Sequence, residues 1–323
     1  MRSRRIYGSS ECCVYHCISR TVNGEALFGS KEKEVLRKML HQVAEFSGVE
    51  LLTYAIMANH FHVLVRVRSS ARDISDTELL RRYKVLYPKP TQHRAEDPAM
   101  LEIILKEGGD NARALRSQLT ARMGDISEFL RSFKQRFSIW FNKSHERYGP
   151  LWSDRFKSVV VENDPVVVRT VAAYIDLNPV RAGLVADPKD YRFCGYAEAL
   201  AGNKRFQSGI CGILNHGYTH RALADYRILL FGKGARPKND GSGVRLSEEA
   251  SRTVKAEDGQ LPQHQFLRQR LRFFTEGAVI GSQLFVDSYI QTWSPKIGDR
   301  RPRKVTQLEI DGETFTAFRR NRA

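Results

Sequence analysis

The stretch that decides the fold runs Tyr54-Ala-Ile-Met-Ala-Asn-His-Phe-His-Val-Leu-Val-Arg66. Its apolar composition and short length predict a buried β-strand, in which successive side chains alternate between two faces. His60 and His62 therefore project from the same face, close enough to hold one divalent metal ion. Two imidazoles inside a strand are costly unless their nitrogens have partners. A metal site is one interpretation, and a pair of core or surface histidines satisfied by the protein itself is the other.

The segments on both sides of this stretch alternate between strand and helix patterns. The strand patterns lie at residues 11–20, 50–57, 60–67 and 158–162. The helix patterns lie at residues 31–47, 126–141 and about 165–177, where Asp164-Pro165 has the composition of a helix start. This order predicts an α+β fold of the ferredoxin-like kind, in which an antiparallel sheet carries helices on one face.

Two further segments extend this core. Residues 69–124 are polar and weakly periodic, and they predict a largely helical insertion. Residues 201–323 form a basic C-terminal extension that we expect to be mainly helical. Helix patterns at 263–275 and 281–291 flank a glycine-rich turn. Such an arrangement fits a helix-turn-helix that reads DNA, and it fits an appendage that only packs against the core equally well.

The overall charge favours a polyanionic partner. The chain has 323 residues and a formal net charge of +16, spread from Arg4-Arg5 to Arg319-Arg320. Such a balance favours nucleic acid, because cationic side chains bind phosphates and release counterions. The 5 cysteines include no CxxC pair, so we expect a reduced, cytoplasmic protein without structural zinc. No membrane span or signal peptide is expected.

Tyr174 is a candidate nucleophile. It lies on the apolar face of the helix predicted at 165–177, where a tyrosine usually packs in the core. A phenol attacks phosphorus only when a metal polarises the phosphate and nearby cations lower its proton affinity. Asn178 shares a helix face with Tyr174 and carries an oxygen that is suited to the same metal. The rival tyrosines are Tyr148, Tyr191 and Tyr196.

Four motifs together resemble the single-tyrosine HUH transposases, and within them the REP-associated tyrosine transposases. The similarity runs from about residue 10 to 200, and proline is common in the family where this chain has Ala58. The motifs are Tyr15-His16 with Ser19-Arg20, Met57-Ala-Asn-His-Phe-His-Val-Leu64, Gly149-Pro-Leu-Trp-Ser-Asp-Arg-Phe-Lys157 and Tyr174-Ile-Asp-Leu-Asn-Pro-Val-Arg-Ala-Gly-Leu184.

The resemblance implies a catalytic domain over residues 1–200 that cuts single-stranded DNA at or near a hairpin of palindromic repeats. His60 and His62 would bind Mg²⁺ or Mn²⁺, with Asn178 as a third contact. Tyr174 would attack the scissile phosphate, form a 5′-phosphotyrosine link and release a 3′-hydroxyl. The resemblance also implies a nucleoid-associated protein that acts as a monomer or a homodimer.

The loop before the fourth strand is rich in basic and aromatic residues. Trp152, Arg155 and Lys157 are candidate contacts to DNA phosphates and bases, and Arg20 is a candidate of the same type. The alternative is a surface loop that a core tryptophan anchors. For the whole chain, two other functions stay open: a nucleic-acid-binding protein without catalysis on the same fold, and a metal-dependent hydrolase that uses water.

Overall fold

The computed structural model describes residues 6–8, 10–88, 96–217, 219–231, 274–275, 277–297, 304–310 and 313–319. The first four strands and the helices between them lie where the sequence predicts. Gly48 ends the first helix in the left-handed conformation, with φ 64°, which a residue without a Cβ adopts at little cost. These elements are β1 (Cys12–Arg20), α1 (Ser30–Ser47), β2 (Glu50–Ile56), β3 (His60–Arg68) and β4 (Lys157–Val161).

The predicted insertion is helical, and the helices around it are capped by short polar side chains. Asp125 accepts hydrogen bonds from the backbone at the start of the helix that follows it. Asp164 does the same for the next helix, which begins at Pro165 and carries Tyr174. The helices are α2 (Asp76–Leu86), α3 (Pro98–Glu107), α4 (Gly109–Thr120), α5 (Ile126–Ser144), α6 (Pro165–Asp176) and α7 (Asn178–Arg181).

The C-terminal extension combines helices with strands. Residues 232–273, which include most of the helix pattern at 263–275, lie outside the described part. The segment at 277–281, expected to lie in a turn between two helices, is a strand. The helix-turn-helix stays a prediction, because most of its first helix lies outside the described residues. After α8 (Gly195–Leu200), which ends just before the extension, the described elements of the extension are α9 (Lys204–Leu214), α10 (Thr219–Phe231), β5 (Gly277–Gly281), α11 (Gln283–Ile297), β6 (Lys304–Ile310) and β7 (Glu313–Arg319).

The strands form one sheet in the order β2-β3-β1-β4-β5-β7-β6. The first four pair antiparallel with β1 between β3 and β4, which is the ferredoxin-like arrangement that the sequence predicts. The extension continues the sheet: β5 pairs parallel with β4, and β7 and β6 follow antiparallel. The sheet is therefore mixed, and the extension adds strands to the expected helices.

Helices cover both faces of the sheet. The Phe61 ring contacts Phe133 of α5 at 5.2 Å between centroids, whereas the ring of His62, the next residue of the strand, contacts Tyr174 of α6 at 6.4 Å. Because odd and even positions of β3 face opposite sides, α5 and α6 lie on opposite faces. The predicted single helical layer corresponds to α1 and α5, which pack on each other. The second layer is built by α6 because its chain returns across the other face of β2 and β3.

A buried carboxylate joins α6 to the elements around it. Asp176 accepts hydrogen bonds from Thr53 Oγ1 of β2 at 2.7 Å, from Tyr226 Oη of α10 at 2.6 Å and from the Tyr196 backbone nitrogen at 3.2 Å. This network fixes the end of α6 against both the sheet and the extension.

In the part of the chain that the structure describes, no helix has the length and apolar character to cross a bilayer. All 5 cysteines lie in that part, and each is a free thiol.

Candidate active site

The histidine pair lies at the start of β3, on the face that α6 covers. His60 stands opposite Arg20 and His62 opposite Ile18 in the register with β1. The two imidazole centroids are 5.1 Å apart, which confirms that both side chains share one face. Asn59 Oδ1 lies 2.7 Å from His60 Nδ1, so a hydrogen bond holds this ring from the preceding turn.

A third histidine, which the sequence analysis did not select, joins the pair. His16 of β1 is fully buried, and its Nε2 lies 2.9 Å from Nδ1 of His62. The two rings are stacked with their centroids 5.1 Å apart. The only early signal was the position of His16 within the first of the four motifs. Its partner is distant along the chain and becomes a neighbour only through the β1–β3 register.

Burial keeps His16 and His62 neutral. It lowers the pKa of His16 to about 3, and the nearby positive charge of Arg181 acts in the same direction. Burial also holds the pKa of His62 well below its usual value, with further lowering by His16, His60, Arg181 and Arg20. A neutral imidazole is the form that binds a metal ion, so the site does not need to lose protons from these two rings at neutral pH.

Tyr174 lies beside the histidines within the same chain. Its ring centroid is 6.4 Å from that of His16 and 6.4 Å from that of His62. On its other side it contacts the ring of Phe274, at 4.6 Å between centroids. Tyr174 is only 2% exposed, so in this conformation the extension covers the phenol. The predicted tyrosine and the predicted histidines are thus brought together in a closed site.

Arg181 is a second residue that the sequence analysis did not select. Its guanidinium carbon lies 3.9 Å from the centroid of the Tyr174 ring, a cation–π contact. Its Nη2 donates to the Tyr174 carbonyl oxygen at 2.6 Å. Arg181 therefore fixes both the backbone and the ring of Tyr174, and it brings a positive charge to the phenol.

Asn178 hydrogen-bonds the C-terminal end of α6, the helix that carries Tyr174. Its Nδ2 donates to the carbonyl oxygens of Tyr174 at 3.3 Å and of Ile175 at 3.1 Å. These contacts satisfy carbonyls that a helix end leaves unpaired. Only the Oδ1 atom of Asn178 has the chemistry of a metal ligand, and its predicted role as a metal contact stays a prediction.

The residues present fit a divalent cation as a pair of ligands. His60 and His62 share one face, and imidazole nitrogen is a common ligand of divalent transition-metal ions, whereas Mg²⁺ and Mn²⁺ also call for oxygen ligands. Within the described ranges, no group of three or more His, Cys, Asp and Glu residues has the arrangement of a metal site. Nε2 of His16 points to His62, which explains why the third imidazole does not complete such a group.

The predicted DNA contacts divide between the two faces of the sheet. Lys157 stands opposite Ile18, which in turn stands opposite His62, so Lys157 and His62 share a face at roughly 10 Å across two strand spacings. Arg20 shares that face with His60. Arg20, Arg155 and Lys157 are all exposed. Arg20 and Lys157 form a basic rim beside the histidines, and Arg155 lies in the loop two residues before Lys157.

Trp152 lies on the other side of the sheet. Its ring contacts Phe28 at 5.7 Å, Phe61 at 5.6 Å and Phe137 at 6.0 Å between centroids. Its Nε1 donates to the Lys134 carbonyl oxygen at 3.3 Å. The tryptophan thus anchors its loop on the face of the sheet opposite the histidines while staying partly exposed, and its role as a DNA contact stays a prediction.

The rival tyrosines are not near the histidine pair in any contact that the structure describes. Tyr148 is 94% exposed. Tyr191 donates to the Ile56 carbonyl oxygen at 2.7 Å, and Tyr196 accepts from Arg227 at 3.2 Å. Tyr174 is therefore the best-placed tyrosine of the four.

Comparison with known proteins gives a family for the first part of the chain. Among solved structures, the chain is similar to that of a REP-associated tyrosine transposase bound to a REP hairpin, with 15% identity, a TM-score of 0.38 and coverage of 62% of this chain and 86% of that chain. No curated protein matches the sequence. The model of the family described as "Transposase IS200 like" matches residues 9–85, which include His60 and His62 but end before Tyr174. Residues 9–85 are thus similar in sequence to that transposase family.

Proposed function

We propose that this protein is a metal-dependent DNA strand transferase that cuts single-stranded DNA near hairpin repeats through a covalent tyrosine intermediate. The observation that carries the proposal is the distance of 6.4 Å between the rings of Tyr174 and His62 within one chain. A phenol beside a pair of imidazoles that could hold a metal ion is the combination that phosphoryl transfer by tyrosine needs. Since one chain contains both parts, a monomer suffices for the reaction.

In the first step, the Tyr174 oxygen attacks the scissile phosphorus. The bond between phosphorus and the 3′ oxygen breaks as the bond to the tyrosine forms, so the 5′ end becomes linked to the protein. The phenolic proton goes to solvent, and the leaving 3′ oxygen takes up a proton. The phosphotyrosine link conserves the energy of the phosphodiester, and the 3′-hydroxyl of a second strand can rejoin the DNA by the reverse attack.

His60 and His62 would hold Mg²⁺ or Mn²⁺, and Asn178 Oδ1 is a further candidate ligand. When bound, the cation polarises the phosphate oxygens and stabilises the charge of the transition state. Arg181 lies over the Tyr174 ring, where its positive charge stabilises the phenolate that the attack requires. Arg20, Arg155 and Lys157 supply cations for the DNA backbone on the same side of the sheet.

The closed conformation supports a second candidate function. Tyr174 is 2% exposed and Phe274 packs on it, so a phosphate reaches the phenol only after the extension moves. A protein that binds DNA hairpins without cutting them has no need of that movement. A hydrolase that uses water is a third candidate, which likewise leaves Tyr174 packed in the core.

A covalent adduct distinguishes these functions. The full chain is incubated with labelled single-stranded DNA that carries the hairpin repeats next to the gene and with Mn²⁺, and the products are separated on a denaturing gel. We expect an adduct with the wild type and with Tyr148→Phe, and none with Tyr174→Phe or His60→Ala. Tight hairpin binding without an adduct would favour the binding protein, and cleavage without an adduct would favour the hydrolase.

A further inference from the structure

The two histidines of the pair are held in the same way. Nδ1 of His60 lies 2.7 Å from Asn59 Oδ1, and Nδ1 of His62 lies 2.9 Å from His16 Nε2. In both rings Nδ1 therefore has a hydrogen-bonding partner from the protein. In each ring the other nitrogen, Nε2, is the atom through which a metal ion would be bound.

Asn59 determines the tautomer of His60. The Asn59 Nδ2 atom donates to the Gly24 carbonyl oxygen at 2.8 Å, which fixes the orientation of the amide. Its Oδ1 atom therefore faces His60, and a carboxamide oxygen only accepts hydrogen bonds. His60 must carry its proton on Nδ1, so the lone pair of the neutral ring is on Nε2.

His16 stands beside Nδ1 of His62 as Asn59 stands beside Nδ1 of His60. A neutral ring has one donor and one acceptor nitrogen, so the contact between the two rings has two arrangements. If His16 donates, the lone pair of His62 Nδ1 is used and its Nε2 carries the proton. If His62 donates, its Nε2 keeps the lone pair, and only this arrangement lets His62 bind a metal ion.

We propose that His16 and Asn59 are positioning residues that hold His62 and His60 in the Nδ1-protonated form, so that both rings offer Nε2 to a divalent cation. The inference rests on the metal-dependent function proposed above. Metal-binding histidines commonly donate their other ring nitrogen to a neighbouring acceptor, which fixes the tautomer and the direction of the ring. Here one acceptor is an amide from the adjacent turn and the other is an imidazole from the neighbouring strand.

His16 is a histidine at a position where the fold favours an apolar side chain. It is 0% exposed on the middle strand of the antiparallel core, where an apolar side chain would pack without the cost of an imidazole. Ile18, two residues further along the same face of β1, is such a side chain and is buried opposite His62. The imidazole at position 16 makes two contacts that an apolar side chain could not make, one with His62 and one with the Phe274 backbone.

Two measurements on the full-length protein test this inference. The first is the tautomer in the metal-free wild type, read from two-bond nitrogen–carbon-bound proton correlations in ¹⁵N-histidine-labelled protein. We expect the proton on Nδ1 in both His60 and His62. A proton on Nε2 of His62 would overturn the role of His16, whatever the protein does to DNA.

The second measurement is the affinity for Mn²⁺ without DNA, by electron paramagnetic resonance or calorimetry. We expect His16→Phe and Asn59→Ala to weaken Mn²⁺ binding by about 10- to 100-fold, the usual loss when such a partner is removed. Asn59→Asp keeps an acceptor oxygen and should bind close to the wild type. His41→Phe is the matched control, because it also removes a packed histidine that hydrogen-bonds another side chain, Glu198, away from the site.

The outcomes separate the inference from the proposed function. Unchanged Mn²⁺ affinity in His16→Phe, in a protein that forms the DNA adduct, would overturn the positioning role and leave the function intact. Weakened Mn²⁺ binding in the variants, with no adduct from the wild type, would support the positioning role and overturn the DNA reaction. An equal loss in His41→Phe would assign the effect to general destabilisation and would also overturn the inference.

Discussion

The guanidinium group of Arg181 lies over the ring of Tyr174, with its central carbon 3.9 Å from the ring centroid, while its Nη2 donates to the carbonyl oxygen of the same tyrosine at 2.6 Å. One arginine thus fixes the backbone and the ring of the candidate nucleophile. A cation in this position favours negative charge on the phenol oxygen during attack.

Replacing Arg181 should therefore slow adduct formation more than it weakens DNA binding. We expect Arg181→Met, which keeps much of the side-chain volume, to lower the single-turnover rate by about 100-fold, the scale of losing one electrostatic contact in a transition state. Arg181→Lys keeps the charge without the planar stacking. Its single-turnover rate should therefore lie between those of the wild type and Arg181→Met. Arg131→Met is the control, because Arg131 pairs with Glu128 on the exposed side of α5. Equal rates for wild type and Arg181→Met would contradict the role.

The ring of Phe274 packs against the ring of Tyr174, and we expect it to limit access to the phenol. Its ring is 4.6 Å from that of Tyr174 between centroids, and both side chains are 2% exposed. We expect Phe274→Leu to expose part of the Tyr174 ring and to speed its nitration by tetranitromethane several-fold, measured by mass spectrometry of the peptide that contains residue 174. Tyr148 is already 94% exposed, so its nitration rate provides the internal standard. A ratio that does not change would show that Phe274 does not limit access.

The sequence could predict the core of the fold and two of the parts of the site. Strand alternation in β3 was enough to bring His60 and His62 onto one face, and the apolar stripe of α6 was enough to direct Tyr174 inward. These are local patterns with a short repeat. The four-stranded order followed because βαββαβ connections have few compact arrangements.

The residues that sequence reasoning missed depend on long-range neighbours. His16 lies beside His62 only because of the register of β1 on β3. Arg181 contacts Tyr174 only because the turn after α6 folds it back over the ring. The strand β5 was missed because Gly277 and Gly281 at its ends have the composition of a turn. Its parallel pairing with β4 joins segments that are far apart in the chain, and no local pattern specifies such a pairing.

The buried carboxylate of Asp176 gives a prediction on pH. Burial raises its pKa from 3.8 to about 7, although Tyr226, Thr53 and the Tyr196 backbone donate hydrogen bonds to it. Between these two values the folded protein holds a proton that the unfolded chain has released. The contribution of Asp176 to the free energy of unfolding must therefore fall as the pH rises through this window, by up to about 1.4 kcal/mol per pH unit.

Asp176→Asn removes this dependence. We expect the difference in unfolding free energy, variant minus wild type, to increase steadily between pH 4.5 and 7 and to level off above, measured by urea unfolding. His16 and His62 have lowered pKa values and act in the opposite sense, but they are present in both proteins and cancel in the difference. Asp110→Asn, at a carboxylate that is 94% exposed, should give a difference with little pH dependence. A flat difference for Asp176→Asn would mean that its carboxyl group stays ionised in the fold.

The register of β4 on β1 leads to a prediction about the path of the DNA. Lys157 shares a face with His62 across Ile18, whereas Lys38 lies on α1, on the face away from the histidines, with 66% of its side chain exposed. If the strand crosses the histidine face, Lys157 contacts a phosphate and Lys38 does not. Each lost phosphate contact reduces the slope of log affinity against log salt by about 0.7 for single-stranded DNA.

We therefore expect Lys157→Gln to bind hairpin DNA more weakly at low salt, with a slope of log affinity against log salt that is smaller by about 0.7. Fluorescence anisotropy between about 50 and 300 mM NaCl measures both, because charge screening changes strongly over this range. Lys38→Gln should keep the wild-type slope, although it removes the same charge from the chain. This comparison separates a local contact from the general attraction of a chain with net charge +16. Equal slopes for the two variants would show that Lys157 makes no phosphate contact and would overturn its place on the path of the DNA.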